Sequence, residues 1–312
     1  MTQTEASKRA ELHALVDLLS EYECEHLEAV LGDVAAGDRF WERDVGIMYN
    51  EYVKARYFDL SRNLSSLVPA GPAYDDAPFA PIPLVKSYPK ATRVQLAEPT
   101  HPIVGAADAM LSRRSRRAYS SEAMSPAQLS SLLHLSAGVT CYAEGYGYRR
   151  WPLRSFASSG GLQTPELYAF VRSVEGLSSG LYHYQPVDHE IELLADAFDD
   201  GLLAAIGLGQ PFIKTAAVVF AITGYYARAR WKYGERSFRY MCMDVGFLGE
   251  NLYLAAEALG LGACAIAGFI DDALERMLGV DAREEMAMLL FAVGCLDGQD
   301  RDPGISSSRT QT

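Results

Sequence analysis

Helices and strands follow one another irregularly along this chain, and that pattern predicts an α+β fold. Three observations carry the prediction. Ser125-Pro126-Ala127-Gln128 is a helix start, with Ser at the N-cap, Pro at N1 and Gln at N3 closing a capping box. Residues 215–223 are an apolar, β-branched run suited to a buried strand. Residues 236–259 read as one long helix that Gly260 ends at C′.

The remaining elements follow in order. Residues 6–33 place Leu12, Leu15, Leu19, Leu27, Val30 and Leu31 among acids, as on a surface helix. Residues 41–65 form a second helical pattern with Trp41, Val45, Met48, Tyr49 and Tyr52 along one side. Eight of the fourteen prolines then fall between Pro69 and Pro102. Proline fixes φ and removes a donor, so this stretch reads as an extended connector lying over a surface. A helix, a charged turn and the capped helix come next. Strands are expected at 167–174, 180–184 and 190–194, the last two joined by a hairpin loop at 185–189. After the long helix come a short strand at 264–267, a helix at 271–278 ending on Gly279, and a final apolar strand at 286–293. The organisation expected is an N-terminal helical region at 1–68, a connector at 69–102, a main domain at 103–300 and a flexible tail at 301–312.

The 312 residues are 49% hydrophobic and 22% charged, a globular composition able to bury a sizeable core. Net charge is −12, which argues against a general nucleic-acid binder, because that role needs surplus positive charge to displace counterions. Apolar runs such as 216–222 and 286–293 are too short to cross a bilayer, and the N-terminus lacks the apolar stretch of a signal peptide. The expectation is a cytoplasmic protein without membrane contact. Five widely spaced cysteines without a C-x-x-C pair fit reduced, mostly buried thiols, and the six histidines form no metal-ligand motif.

Four segments could carry chemistry. Arg113-Arg114-Ser115-Arg116-Arg117 offers forked guanidinium donors and a hydroxyl to a phosphate, although a solvated basic turn has the same composition. Ser158-Ser159-Gly160-Gly161-Leu162 lets backbone approach a flat ligand, yet it lacks dinucleotide-fingerprint spacing and is equally an ordinary loop. Lys232-Tyr233 pairs two proton carriers whose pKa values can be tuned, but such pairs are common on surfaces. Gly260 to Phe269 is a glycine-bounded strand of small residues, which core packing also selects.

Their order is more specific than any one of them. R-R-S-x-R-x-Y at Arg113 is followed by S-P-x-Q-L-S-x-L-L at Ser125, S-S-G-G-L-x-x-x-E at Ser158 and G-L-Y-H-Y at Gly180. R-Y-x-x-x-D-x-G-x-L-x-x-N-L-Y-L-A-A-E-A-L-G-L-G-A begins at Arg239. The sequence resembles the nitroreductase-like flavoproteins over about residues 86–296, and within them the SagB-type dehydrogenases that oxidise thiazolines and oxazolines. The Lys232-Tyr233 pair, a feature of the azoline dehydrogenases, favours that subgroup.

The resemblance implies a mainly antiparallel sheet flanked by helices, with an N-terminal helical extension, in an intertwined homodimer holding FMN at the subunit interface. It assigns Arg113, Arg114, Ser115 and Arg117 to phosphate and ribityl contacts. Ser158, Ser159, Gly160, Gly161 and Leu162 go to the loop beside the flavin ring, and Ala267 and Gly268 to the backbone near its N5. Many nitroreductases carry an acid where Ala267 stands, so that side chain's role is absent here. Arg301 is a loosely aligned match to a C-terminal phosphate contact. Lys232 and Tyr233 are the candidate proton acceptors, with the choice between them open. The implied substrate is a peptide or carrier-tethered azoline, with a cyclodehydratase as an expected partner. Residues 1–68 either cover the dimer or hold that partner or substrate. Rival readings are an NAD(P)H-dependent nitro or quinone reductase and a non-catalytic scaffold subunit of a peptide-modifying complex.

Overall fold

The computed structural model describes residues 83, 85–102 and 104–297. The helices expected at 6–33 and 41–65, and the tail with Arg301, lie outside the described residues. The strands are β1 (Thr92–Gln95), β2 (Val139–Gly145), β3 (Tyr148–Arg154), β4 (Pro165–Val171), β5 (Gly180–Gln185), β6 (Glu190–Ala195), β7 (Val218–Tyr225), β8 (Leu261–Ile266) and β9 (Glu285–Cys295). The helices are α1 (Ala106–Ser112), α2 (Pro126–Ala137), α3 (Asp200–Ile206), α4 (Ala227–Tyr233), α5 (Ser237–Ala258) and α6 (Asp271–Leu278). Seven strands make one sheet in the order β1-β6-β5-β4-β7-β9-β8, with antiparallel neighbours throughout, while β2 and β3 form a separate two-stranded ribbon. The expected α+β class with a mainly antiparallel sheet is therefore present.

The apolar run of β7 is explained by burial on both faces. Val218, Phe220 and Ile222 point into one core, and Val219 and Ala221 into the other. On the first side Leu129, Leu132 and Leu133 of α2 and Leu248 and Leu252 of α5 pack on the sheet. On the second side Leu203 and Ile206 of α3 and Leu274 and Leu278 of α6 do so. Each fully buried side chain of this size contributes roughly 1.5–3 kcal/mol, so the sheet is fixed between two helical layers.

Local signals end the elements where the sequence places them. Ser125 Oγ accepts from the Gln128 amide and the Gln128 side chain accepts from the Ser125 amide, completing the capping box of α2. Gly260 after α5 and Gly279 after α6 have φ of +69° and +72°, a conformation glycine takes without strain.

Several features differ from expectation. β1 lies inside the proline-rich connector and pairs with β6, so this part of the connector is sheet edge. The β2–β3 ribbon has Pro152 within it and an irregular register, which hides its strand pattern. Helices α3 and α4 have 7 residues each, too short for a clear helical period. Among the described cysteines Cys264 and Cys295 are buried, whereas Cys141 and Cys242 are exposed, against the expectation of mostly buried thiols. No helix among the described residues is long and apolar enough to cross a membrane.

Candidate functional site

The arginine turn leaves α1 and is stitched to β8. The Arg116 amide donates to the Ala263 carbonyl at 2.8 Å, and Tyr119 Oη donates to the carbonyls of Arg116 and Ala292. Tyr119 fits there because Gly294 lacks a Cβ, which would stand 3.0 Å from its ring. Ser115 Oγ lies 2.8 Å from Tyr253 Oη on α5, and the Ala265 amide donates to that same phenol. The Arg113 guanidinium stacks 5.0 Å from the Tyr253 ring centre and 3.9 Å from Glu250, a loose ion pair. Arg116 pairs with Glu257. Among the described residues neither Arg114 nor Arg117 has a carboxylate within ion-pair distance. Both are exposed; Arg114 bonds only to nearby carbonyls, and Arg117 reaches Phe212 and Cys264. Burial pushes the Cys264 thiol up, and Arg117 opposes that shift.

Ala267 and Gly268 are exposed and lie past the last β8–β9 pair, Ile266 with Leu290. From Cys264 to Ala267 the strand rises about 10 Å. The basic cluster and this free strand end thus lie along one element.

The glycine loop is organised by a different residue. Asp244 of α5 is buried and accepts from Ser158 Oγ at 2.6 Å, the Ser159 amide at 2.9 Å, Ser159 Oγ at 3.0 Å and Thr164 Oγ1 at 3.4 Å. Burial raises the Asp244 pKa, and these donors counter it. Both serine hydroxyls are thereby committed to Asp244, and much of the loop backbone is bonded as well: the Gly161 and Leu162 amides donate to the Ser158 and Ser159 carbonyls, and the Gly160 carbonyl accepts from Tyr146 Oη. Gly160 and Gly161 have φ of +63° and +65°. Trp151 Nε1 donates to the Gly161 carbonyl, and Leu162 is buried beside Trp151 and Ala229.

Lys232 and Tyr233 end α4 and meet this loop. A Cβ on Gly160 would stand 2.3 Å from Tyr233 Oη, 3.0 Å from Lys232 Nζ and 3.1 Å from Tyr146 Oη. Burial pulls the Lys232 pKa below its ordinary value. The pair lies between the expected strand at 215–223 and the long helix, and in the structure a helical turn carries both. Tyr146 has no sequence signal, since the hairpin bearing it has no strand signature. Lys232 Nζ donates to Tyr146 Oη at 2.6 Å.

Arg228, one turn before Lys232, anchors α4. It donates to the Gln163 carbonyl at 2.7 Å and to Glu166 at 2.5 Å. Glu166 also bonds His183 Nε2, and His183 Nδ1 bonds Glu192, each at 3.0 Å. Glu192 accepts in turn from Ser87 Oγ and the Tyr88 amide. A histidine between two carboxylates must donate from both ring nitrogens, which makes it imidazolium. Burial opposes that charge, but the bonds to Glu166 and Glu192 prevail and raise the His183 pKa. Burial likewise works against ionised Glu166, and Arg228, then His183, overcome it and hold the carboxyl well below the usual range.

Two half-sites result. One joins Arg113, Arg114, Ser115 and Arg117 to Ala267 and Gly268; the other joins Ser158–Leu162 to Lys232 and Tyr233. Asp244 and Tyr253, which hold them, are separated by two and a half helical turns and about 14 Å, on opposite flanks of α5.

Comparison with known proteins agrees with this architecture. The nitroreductase family description matches residues 110–295. Protein MJ1384 of Methanocaldococcus jannaschii, named as a nitroreductase, is 35% identical over 187 residues, covering 60% of this chain and 89% of that protein. The trifolitoxin-processing protein TfxB of Rhizobium leguminosarum bv. trifolii is 31% identical over 147 residues, covering 45% of this chain but only 39% of its own length. A crystal structure of a nitroreductase-type protein from Anabaena variabilis superposes with a TM-score of 0.56 at 28% identity, over 68% of this chain and 44% of the other. With the family description spanning more than half of its length and both halves of the site built on the matched elements, this chain belongs to the nitroreductase family.

Proposed function

We propose that this protein is an FMN-dependent dehydrogenase of the SagB type, oxidising thiazoline or oxazoline rings of a peptide or carrier-tethered substrate to thiazole or oxazole. The observation that carries the reading is the closeness of Lys232 and Tyr233 to Gly160, where an added Cβ would stand 3.0 Å from Lys232 Nζ and 2.3 Å from Tyr233 Oη. It sets two proton carriers beside the glycine loop. The trifolitoxin-processing relative supports a role in a peptide natural-product pathway, where a cyclodehydratase would supply the azoline.

The residues fit the cofactor. Arg114 and Arg117 have no carboxylate partner among the described residues, and Arg113 only a loose one, so their charge is available to a phosphate. Ala267 and Gly268 present strand-end backbone about 10 Å further along β8, leaving room for a linker between phosphate and ring. Bound FMN supplies a two-electron acceptor at N5. Lys232 or Tyr233 takes the ring proton that leaves with the hydride, and desolvation of Lys232 favours its neutral, basic form. Tyr146 packs edge-on against Trp151 and Trp231 on that side.

The half-sites on opposite flanks of α5 support a homodimer in which each flavin is held by both copies. Exposed Met243 and Phe247 on α5, and Met110 and Leu111 on α1, supply apolar surface for such an interface. One rival reading, an NAD(P)H-dependent nitro or quinone reductase, draws support from the MJ1384 relative. The two readings separate when the flavin-loaded protein is mixed anaerobically with NAD(P)H or with azoline peptides. Bleaching by the azoline, with loss of two hydrogens seen by mass spectrometry, supports the dehydrogenase; bleaching by NAD(P)H alone overturns it.

A further inference from the structure

Tyr146 occupies the tip of the β2–β3 ribbon with φ +52°, followed by Gly147 at +80°. A non-glycine residue in the left-handed region costs about 1–2 kcal/mol, and such costs persist where the surroundings hold the conformation. Here the ring lies 4.7 Å from Trp151 and 5.6 Å from Trp231, both edge-on. Its phenol reaches two groups of the candidate site. Tyr146 Oη donates to the Gly160 carbonyl at 2.5 Å and lies 2.6 Å from Lys232 Nζ. A phenol has one hydrogen. With that hydrogen directed at Gly160, the oxygen can only accept from Lys232.

We infer that Tyr146 is a positioning residue: its phenol fixes the direction of the Lys232 amine against the Gly160 loop and favours the protonated amine. This rests on the reading of Lys232 as a proton carrier but goes beyond it, because it assigns the hairpin a place in the site. The arrangement has a chemical logic. Burial alone drives Lys232 toward the neutral form, and an acceptor 2.6 Å away works in the opposite sense. The balance lets the amine take a proton and keep it until release. Among the described residues, the titratable groups nearest in the chain and packing are Tyr233 on its own helix, Tyr240 of α5 stacked 4.8 Å from Tyr233, and Glu235 and Arg236 in the turn that follows. Arg228 is committed to Glu166 and Gln163.

The test is Tyr146→Phe in the full chain, which keeps the ring between the tryptophans and deletes the acceptor. Competitive acetylation with acetic anhydride across pH, with the Lys232 peptide read by mass spectrometry, gives the amine's own titration without any substrate. The midpoint should fall by about half to one pH unit, the size expected for one lost hydrogen bond to a charged group. The pH limb of kcat/KM with an azoline should move the same way. An unchanged Lys232 midpoint in folded Tyr146→Phe overturns the assignment. If that variant does not fold, Lys232→Met supplies the reciprocal test. Nitration of Tyr146 by tetranitromethane, which attacks the phenolate, should slow severalfold once the ammonium that stabilises that phenolate is gone, and an unchanged rate overturns the assignment equally. A wild-type protein that oxidises no azoline, together with a lowered Lys232 midpoint in Tyr146→Phe, sinks the proposed reaction and leaves the role of Tyr146 standing.

Discussion

Asp244 and Tyr253 face opposite flanks of α5, and each fastens one half of the candidate site to that helix. Asp244 gathers the Ser158–Ser159 turn through three acceptor contacts and accepts a fourth from Thr164. Tyr253 receives the Ala265 amide and meets Ser115, beneath the Arg113 guanidinium. The proposed homodimer rests on this separation, because a second copy of the chain would bring the other half to each site.

Removing the carboxyl of Asp244 strands several buried donors at once. Asp244→Ala should cost about 2–4 kcal/mol, since unsatisfied buried donors forfeit their full desolvation. Thermal and urea unfolding measure it. Asp244→Asn should lose less, because its carbonyl oxygen still accepts from part of the set.

The arginines are expected to act on cofactor affinity rather than on stability. Arg117 is exposed and has no carboxylate partner among the described residues. Arg117→Ala should leave the melting temperature nearly unchanged and weaken FMN binding about 10- to 100-fold, as for the loss of one charge-assisted bond. Quenching of FMN fluorescence on titration reads this directly, and the wild-type affinity should fall with added salt.

Gly160 leaves no room for a side chain beside Tyr233 and Lys232. Gly160→Ala puts a methyl where Tyr233 Oη now stands and also strains a backbone at φ +63°. Substrate-dependent flavin reduction should drop by at least tenfold while flavin content changes little. Gly176, with φ +70° but nothing within 4 Å of an added Cβ, is the control for backbone strain alone.

The Glu166–His183–Glu192 line predicts a two-sided pH dependence of stability. His183 has a raised folded pKa, so its contribution is complete below the unfolded imidazole value near 6.5 and fades as pH rises through the folded value. Glu166 and Glu192 have depressed values, so theirs is present above the ordinary 4.5 and is lost as pH falls through the folded values. The difference in melting temperature between wild type and His183→Gln should be largest at pH 5–6.5 and shrink toward alkaline pH. Circular dichroism melts across pH 4–9 check it; a difference that grows with pH contradicts the imidazolium assignment.

Much of this was legible in the sequence wherever a local rule acted alone. The Ser125 capping box, the Gly260 and Gly279 helix ends, and the doubly buried run of β7 each follow from chemistry within a few residues. The arginine turn and the glycine loop stood out by composition. What stayed hidden depends on distant partners. Nothing local marks Asp244 as the acceptor of a turn some 85 residues earlier, and its aspartate reads as one polar position on a long helix. Tyr146 needed a hairpin whose strands carry Arg149, Arg150 and Pro152 in place of alternating apolar residues. His183 sits in an apolar strand and draws attention only once β4 and β6 place carboxylates on either side.

The central claim is that electrons pass from an azoline ring to a flavin held by this chain, with Lys232 or Tyr233 taking the proton. The most direct measurement is anaerobic stopped-flow absorbance of the FMN-loaded protein mixed with a thiazoline- or oxazoline-bearing peptide. The visible flavin band should bleach with wild type and persist in Lys232→Ala and Tyr233→Phe variants that retain their flavin. A colourless protein after reconstitution, or equal bleaching when both residues are replaced, would contradict the account.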